Sequence, residues 1–183
     1  MSELGRRAII ADPDWQGGDY YGTGRFPDAG LAIARMVGMM TYQSAAGQWE
    51  RFGRRPASRP ALYEEFGGRF EIESYLHYQG RDLVNRFDAN SYLYLSRAMD
   101  IYDVAAGYES EEEAFSRIEA EVLFVGISSD WLFPAGEVRA AAQRARGAGA
   151  EAGFAEIESL SGHDAFLKDW DDLGAAVMPF LER

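Results

Sequence analysis

The spacing of hydrophobic and polar positions changes along this chain and divides it into three regions. Residues 3–10 have a helical pattern and lead into a polar, glycine-rich stretch at residues 12–24. Across residues 27–108, apolar side chains recur every three or four positions, which predicts an almost wholly helical middle region. From residue 118 onward, short apolar runs alternate with helical patterns, which predicts strand, helix, strand and helix.

The last region has the alternation that is typical of parallel strands joined by crossover helices, so the predicted fold class is α/β. Residues 122–127 are apolar throughout, as expected of a strand covered on both faces. We predict a helix at 135–147, a second strand at 154–158 and a final helix at 171–183. Two strands are too few for a buried parallel sheet, so we expect the first one to pair also with strands from outside this chain.

Three connecting segments have local signals of their own. Residues 53–68 are rich in arginine and proline and predict a loop. The acidic run at 109–113 predicts either a charged connector or the first turn of a helix, where carboxylates suit the helix dipole. We expect Asp12 and Asp14 to form a turn around Pro13.

Composition excludes several classes of function. A net charge of −12 and a pI of about 4.6 argue against a nucleic-acid partner, because phosphate binding needs concentrated positive charge. No apolar run is long enough to span a bilayer, and no signal peptide is evident, so we expect a cytoplasmic protein without a membrane partner. The absence of cysteine excludes disulfides and thiolate chemistry, and two histidines are too few for a zinc site. We expect no metal and no bound cofactor.

Two residues suggest catalytic chemistry. Asp130 follows the first predicted strand, and His163 follows the second. Neighbouring parallel strands end at the same edge of a sheet, so we expect a carboxylate oxygen of Asp130 about 2.6–3.2 Å from Nδ1 of His163. The order strand, Asp, helix, strand, His matches the acid and base of a nucleophilic triad. The alternatives are an aspartate that caps the next helix and a histidine in a surface loop.

The nucleophile of such a triad is missing. It should lie before the acid, in a Gly-x-Ser-x-Gly turn between a strand and a helix. These 183 residues contain no such motif, and Ser128 and Ser129 follow the acid's own strand. His77 lies in an aromatic stretch and is expected on a helix face. The sequence therefore predicts a partial site that takes its nucleophile from elsewhere.

Six segments together resemble one enzyme family, the homoserine O-acetyltransferases, which are α/β-hydrolase-fold enzymes of methionine biosynthesis. The segments are residues 11–21, 30–42, 70–80, 86–94, 129–134 and 162–166. The resemblance follows the family's order and covers only its carboxyl half. It implies a core segment at 1–26 that leads into a lid, a helical lid domain at 27–112, and a carboxyl-terminal hydrolase core at 113–183.

The resemblance also implies roles for individual residues. Asp130 and His163 become the triad acid and base. Arg35 becomes a ligand for the homoserine carboxylate and faces the site, and Asp164 becomes a ligand for the homoserine ammonium. The chemistry suits a zwitterion, because arginine binds carboxylate in a bidentate fork. An exposed helix arginine is the alternative for Arg35, and residues 88–94 are expected to pack lid helices rather than touch substrate.

The implied activity is acetyl transfer from acetyl-CoA, a co-substrate, to L-homoserine. The implied partners are the missing amino-terminal half and, in the intact enzyme, a second subunit in a homodimer. A succinyl-CoA-dependent homoserine O-succinyltransferase is one alternative. A non-catalytic truncated product that acts as an interaction module is another. We expect the isolated chain to show no acetyl transfer and to self-associate.

Overall fold

The computed structural model describes residues 2–57 and 70–182 and groups the chain into two compact units. The first unit comprises Met1–Met40 and Gln48–Ile101, and the second comprises Thr41–Gly47 and Tyr102–Arg183. The domain boundaries predicted at residues 26 and 112 stay a prediction.

The first unit is built from helices. They are α1 (Ser2–Ala11), α2 (Asp28–Tyr42), α3 (Ala45–Phe52), α4 (Glu71–Val84) and α5 (Ala89–Ile101), with a short 3-10 helix at Pro13–Gly18. The last two residues of α2 and the first three of α3 belong to the second unit. Between residues 27 and 108, the described residues form helices, turns and one isolated bridge, so the predicted helical middle is confirmed.

The loop predicted at residues 53–68 is confirmed as far as the structure describes it. Residues 53–57 leave the helical conformation directly after α3. The remaining loop positions, 58–68, lie outside the described residues.

A turn at the end of α1 sets the start of α2 in the first unit. Asp12 Oδ1 accepts a hydrogen bond from the Asp14 amide at 3.0 Å, and Oδ2 accepts one from the Gly30 amide at 2.8 Å. Gly30 lies so close to α1 that an added Cβ would be 2.6 Å from the carbonyl oxygen of Ala8. The predicted Asp-Pro-Asp turn is therefore present, and it also ties two helices together.

The segment before α5 is anchored by Asp88. Its Oδ2 accepts the Ser91 amide at 2.7 Å, and its carboxylate also accepts the hydroxyls of Tyr20 and Tyr21. Tyr20 is 2% exposed and belongs to the core of this unit, against which Tyr92 packs. The aromatic stretch therefore contributes to packing, as predicted.

The second unit alternates helices and strands, and the predicted α/β class is confirmed. Its elements are α6 (Glu111–Ser116), β1 (Val122–Ile127), α7 (Ala135–Gly147), β2 (Ala152–Ile157), a 3-10 helix (Gly162–Asp164), α8 (Ala165–Lys168) and α9 (Trp170–Leu181). The two strands are parallel, in a register that pairs Val122 with Ala152 and Ile127 with Ile157. Helix α7 is the crossover between them and packs on both strands.

Local contacts explain where α6 begins and how α7 packs in this unit. The hydroxyl of Ser110 accepts the Glu113 amide at 3.1 Å, so the acidic run forms the first turn of α6 rather than a connector. Helix α7 buries two small residues, Ala142 and Ala145. Because Gly126 of β1 has no side chain, the start of α7 can lie close to this strand. Within the described part of the chain the sheet has two strands, and the further strands expected beside β1 stay a prediction.

Candidate active site

Asp130 lies just beyond the carboxyl end of β1, and main-chain amides fix its carboxylate. The Ser128 amide donates to the carbonyl of Ile157 at 2.9 Å, which continues the strand pairing up to the loop. Asp130 is 7% exposed, and its Oδ1 accepts the amides of Leu132 at 2.9 Å and Phe133 at 3.0 Å. Both donors precede the start of α7, so the alternative of a helix-capping aspartate is wrong.

His163 follows β2 after a loop that comprises residues 158–162, which we call the histidine loop. Gly162 ends this loop with a φ of 65°, a left-handed conformation that favours glycine. A Cβ at Gly162 would lie 2.6 Å from the Ser44 amide nitrogen, so the close approach also requires glycine. The turn at Gly162 is what directs the next side chain, His163, back toward the end of β1.

The two side chains meet as predicted. Nδ1 of His163 lies 2.8 Å from Oδ2 of Asp130, and this distance confirms the expected contact. An ionised carboxylate can only accept, so the proton of this hydrogen bond belongs to Nδ1. In the neutral ring, Nε2 is then the nitrogen with a free lone pair. This is the tautomer that a general base needs.

Aromatic rings surround the imidazole. Its centroid lies 5.2 Å from that of Phe133, 5.4 Å from that of Phe166 and 6.0 Å from that of Tyr42. The His163 side chain is 27% exposed, whereas the Asp130 side chain is 4% exposed. The aspartate is therefore withdrawn from water while the imidazole keeps an accessible side.

A cavity of about 310 Å³ adjoins the pair. Its lining is apolar apart from the pair itself and consists of Val125, Ile127, Asp130, Phe133, Val138, Ile157, His163, Phe166 and Leu173. An apolar wall with a few convergent polar groups is the usual form of a small-molecule site. The second unit thus contains an acid–base pair at the edge of a cavity.

The histidine loop is held by a set of hydroxyl contacts that were not predicted from the sequence. Ser129 Oγ accepts the Gly162 amide at 3.0 Å, and Ser128 Oγ accepts the Ser159 amide at 3.1 Å. Further along, Ser159 and Ser161 both donate to Asp169. The only signal in the sequence is the frequency of serine on both sides of the two strand ends.

The two predicted substrate ligands are found in different units. Arg35 lies on α2 in the first unit, half-buried, and its Nη2 donates to Oε1 of Gln79 at 3.5 Å. Asp164 lies next to His163, and its Oδ2 accepts from Nζ of Lys168 at 3.0 Å. The orientation of Arg35 toward the pair and the binding roles of both residues stay predictions.

Two further features are absent from residues 2–57 and 70–182. No group of three or more histidine, aspartate or glutamate side chains there could hold a metal ion. In the same ranges, no helix combines the length and the apolar character that crossing a bilayer requires.

Comparison with known proteins identifies the family. No protein-family model matches the chain. A curated homoserine O-acetyltransferase from Symbiobacterium thermophilum is 50% identical over 184 residues, which is 100% of this chain and 48% of the relative. One from Moorella thermoacetica is 49% identical over 178 residues, covering 97% of this chain and 47% of the relative. The chain belongs to the homoserine O-acetyltransferase family.

Solved structures agree with this family assignment. The crystal structure of homoserine O-acetyltransferase from Bacillus anthracis superimposes with a TM-score of 0.86 at 28% identity, covering 100% of this chain and 48% of that chain. The α/β-hydrolase fold predicted from the resemblance is therefore confirmed. The chain spans about half the length of the curated relatives it matches.

Proposed function

We propose that this chain supplies the general base and the acid of the acyl-transfer centre of a homoserine O-acetyltransferase. The nucleophilic serine would lie in the part of the family's fold that these 183 residues do not match. The observation that carries the proposal is the hydrogen bond of 2.8 Å between Asp130 and His163 at the ends of two parallel strands. The names of the relatives support an acetyl rather than a succinyl donor.

In the first half of the reaction, Nε2 of His163 takes the proton of the serine hydroxyl as its oxygen attacks the thioester carbonyl of acetyl-CoA. The carbon–sulfur bond breaks, and the CoA thiolate leaves with the proton from the imidazolium. Asp130 stabilises that imidazolium through Nδ1 and stays ionised. The product of this half is an acetyl-serine ester.

In the second half, Nε2 removes the proton from the homoserine hydroxyl, and the hydroxyl oxygen attacks the acetyl ester. The bond between the serine oxygen and the acetyl carbon breaks, and the imidazolium returns its proton to the serine. O-acetyl-L-homoserine leaves. The apolar wall formed by Phe133 and Phe166 limits the access of water, which would compete with homoserine.

Arg35 and Asp164 complete the proposal as ligands for the two charges of homoserine. Asp164 already accepts an alkylammonium, that of Lys168, which supports its suitability for an ammonium group. Arg35 offers the bidentate fork that suits a carboxylate. The homodimer and the cytoplasmic location expected from the resemblance belong to the same proposal.

The test uses a hybrid chain, in which the part of the Symbiobacterium thermophilum relative that this chain does not match precedes these 183 residues. We expect the 183-residue chain to transfer no acetyl group from acetyl-CoA to homoserine, and we expect the hybrid to do so. His163→Ala should lower kcat of the hybrid by a factor on the order of 10⁶. His77→Ala, at the other histidine, is the matched control and should retain transfer.

Two results would contradict the proposal. Robust turnover by the 183-residue chain would mean that the nucleophile lies within it. Undiminished turnover by the His163→Ala hybrid would mean that another group is the base.

A further inference from the structure

The histidine loop is held at both ends by hydroxyl groups that the proposed mechanism does not use. Glu158 follows β2, and Gly162 precedes His163, so the loop connects the sheet directly to the base. Residues 158–161 have no regular secondary structure, and Gly162 begins the 3-10 helix that contains His163. The position of the loop therefore depends on contacts with other parts of the second unit.

The first contact joins the loop of the acid to the loop of the base. Ser129 precedes Asp130, and its Oγ accepts the amide of Gly162, which precedes His163, at 3.0 Å. The Ser129 hydroxyl thus joins the same two loops as the bond between Asp130 and His163. Ser129 and Gly162 each lie one position before a member of that pair. A backbone shift of the histidine loop away from β1 would break this bond together with the catalytic one.

The second contact is an anchor on the far side of the loop. Asp169 immediately precedes α9, a position where aspartate ordinarily caps the helix with its side chain. Its side chain makes no such capping bond. Oδ1 instead accepts the Ser161 hydroxyl at 3.2 Å, and Oδ2 accepts the Ser159 hydroxyl.

One hydroxyl of the anchor makes two hydrogen bonds. Ser159 Oγ donates to Asp169 and accepts the Ser161 amide at 2.8 Å, so one hydroxyl closes the loop on itself and ties it to α9. Hydrogen bonds to a carboxylate are about twice as strong as those between neutral groups. An aspartate that holds two serines in place of capping its own helix indicates that the loop position matters.

We propose that Ser129 and Asp169 are positioning residues. They hold His163 against Asp130 and keep the imidazole proton on Nδ1. Their contribution to catalysis rests on the proposed function, whereas their effect on the imidazole does not. Displacement of a reacting group by about 1 Å can lower a rate by a factor of about 10². A base whose hydrogen bond must survive four proton transfers per turnover needs such support.

The test is nitrogen NMR of the two imidazole rings in the 183-residue chain, well above the pH at which histidines ordinarily titrate. The chain has only two histidines, so His77 serves as an internal reference. In the unsubstituted chain we expect His163 to carry its proton on Nδ1. In Ser129→Ala and in Asp169→Asn we expect the ratio of the Nδ1–H to the Nε2–H form to fall about threefold to tenfold, the range that one hydrogen bond accounts for.

Matched variants separate positioning from a general loss of structure. Ser129→Thr keeps the hydroxyl and should keep the ratio of the unsubstituted chain. Asp172→Asn removes an exposed carboxylate from the first turn of the same helix and should also leave the ratio unchanged. Should Asp169→Asn unfold by circular dichroism, Ser161→Ala tests the same anchor by removing one hydroxyl.

An unchanged ratio in both Ser129→Ala and Asp169→Asn would overturn the proposal, as would an equal change in Asp172→Asn. The same variants in the hybrid chain should lower kcat about tenfold or more while KM for homoserine changes little. A hybrid without any transfer activity would count against the proposed function. The NMR result would still decide whether these residues position the imidazole.

Discussion

Asp88 in the first unit and Asp130 in the second share one local contact and differ in what else they bind. Each precedes a helix, and each accepts the amide of the residue three positions later, Ser91 or Phe133. The other partners of Asp88 are the hydroxyls of Tyr20 and Tyr21. The other partners of Asp130 are the Leu132 amide and the imidazole of His163.

The difference lies in the proton that each partner can exchange. Burial raises the pKa of Tyr20 above its ordinary value, and the hydrogen bond to Asp88 raises it further, so this phenol keeps its proton at neutral pH. Histidine is the side chain that ordinarily changes charge near neutral pH. An aspartate that accepts the amide three positions later therefore fixes structure in one unit and supports a candidate base in the other.

The largest effect expected from this contrast is on activity. In the hybrid chain, Asp130→Asn should lower kcat by a factor of about 10⁴, because the amide favours the wrong imidazole tautomer. Asp88→Asn should leave kcat close to that of the unsubstituted hybrid. Steady-state kinetics with acetyl-CoA and homoserine measures both. Equal losses in the two variants would mean that both aspartates act through structure alone.

The sequence was sufficient where the pattern is local and periodic. The strand at 122–127 and the helix at 135–147 have the predicted bounds, because an apolar run and a helical repeat define them without reference to other residues. The contact between Asp130 and His163 was predictable because parallel strands end at one edge of a sheet. The second strand begins two residues earlier than predicted, at Ala152.

The serine contacts could not be predicted in the same way. The backbone that crowds Gly162 belongs to Gln43 and Ser44, more than a hundred positions away along the chain. Asp169 immediately precedes α9, and only the tertiary structure shows that it binds Ser159 and Ser161 instead of capping that helix. Asp88 and Asp130 could not be distinguished by local pattern either, because each precedes a helix and each accepts the amide of the residue three positions later.

A smaller effect is expected when the pair is disturbed through the backbone. Gly162→Ala places a Cβ against the Ser44 amide at a positive φ, and it should lower the free energy of unfolding by about 1–3 kcal/mol. Gly136→Ala in α7 is the control, because nothing lies within 4 Å of its added Cβ. It should raise the free energy of unfolding by about 0.5–1 kcal/mol. Denaturant unfolding of the chain measures both, and a stabilising Gly162→Ala would show that the loop tolerates a side chain.

The smallest expected effect concerns acid stability of the Asp88 cluster. Burial opposes ionisation of Asp88, but the hydrogen bonds from Tyr20 and the Ser91 amide outweigh it and lower the pKa of this carboxyl. A lowered folded-state pKa stabilises the protein above the ordinary aspartate pKa of about 3.9, and the contribution is lost as the pH falls through the folded value. Asp88→Asn should therefore make the free energy of unfolding less sensitive to pH below about 4. An unchanged pH dependence in Asp88→Asn, measured beside Asp172→Asn, would contradict this assignment.

The most direct test of the central claim is the location of the acetyl group in the hybrid chain. Acetyl-CoA is added without homoserine, and the acetylated peptide is identified by mass spectrometry. We predict an acetyl ester on a serine of the relative's segment, absent in His163→Ala and removed when homoserine is added. An acetyl ester on a serine of these 183 residues, such as Ser128 or Ser129, would contradict the claim that this chain supplies only the acid and the base.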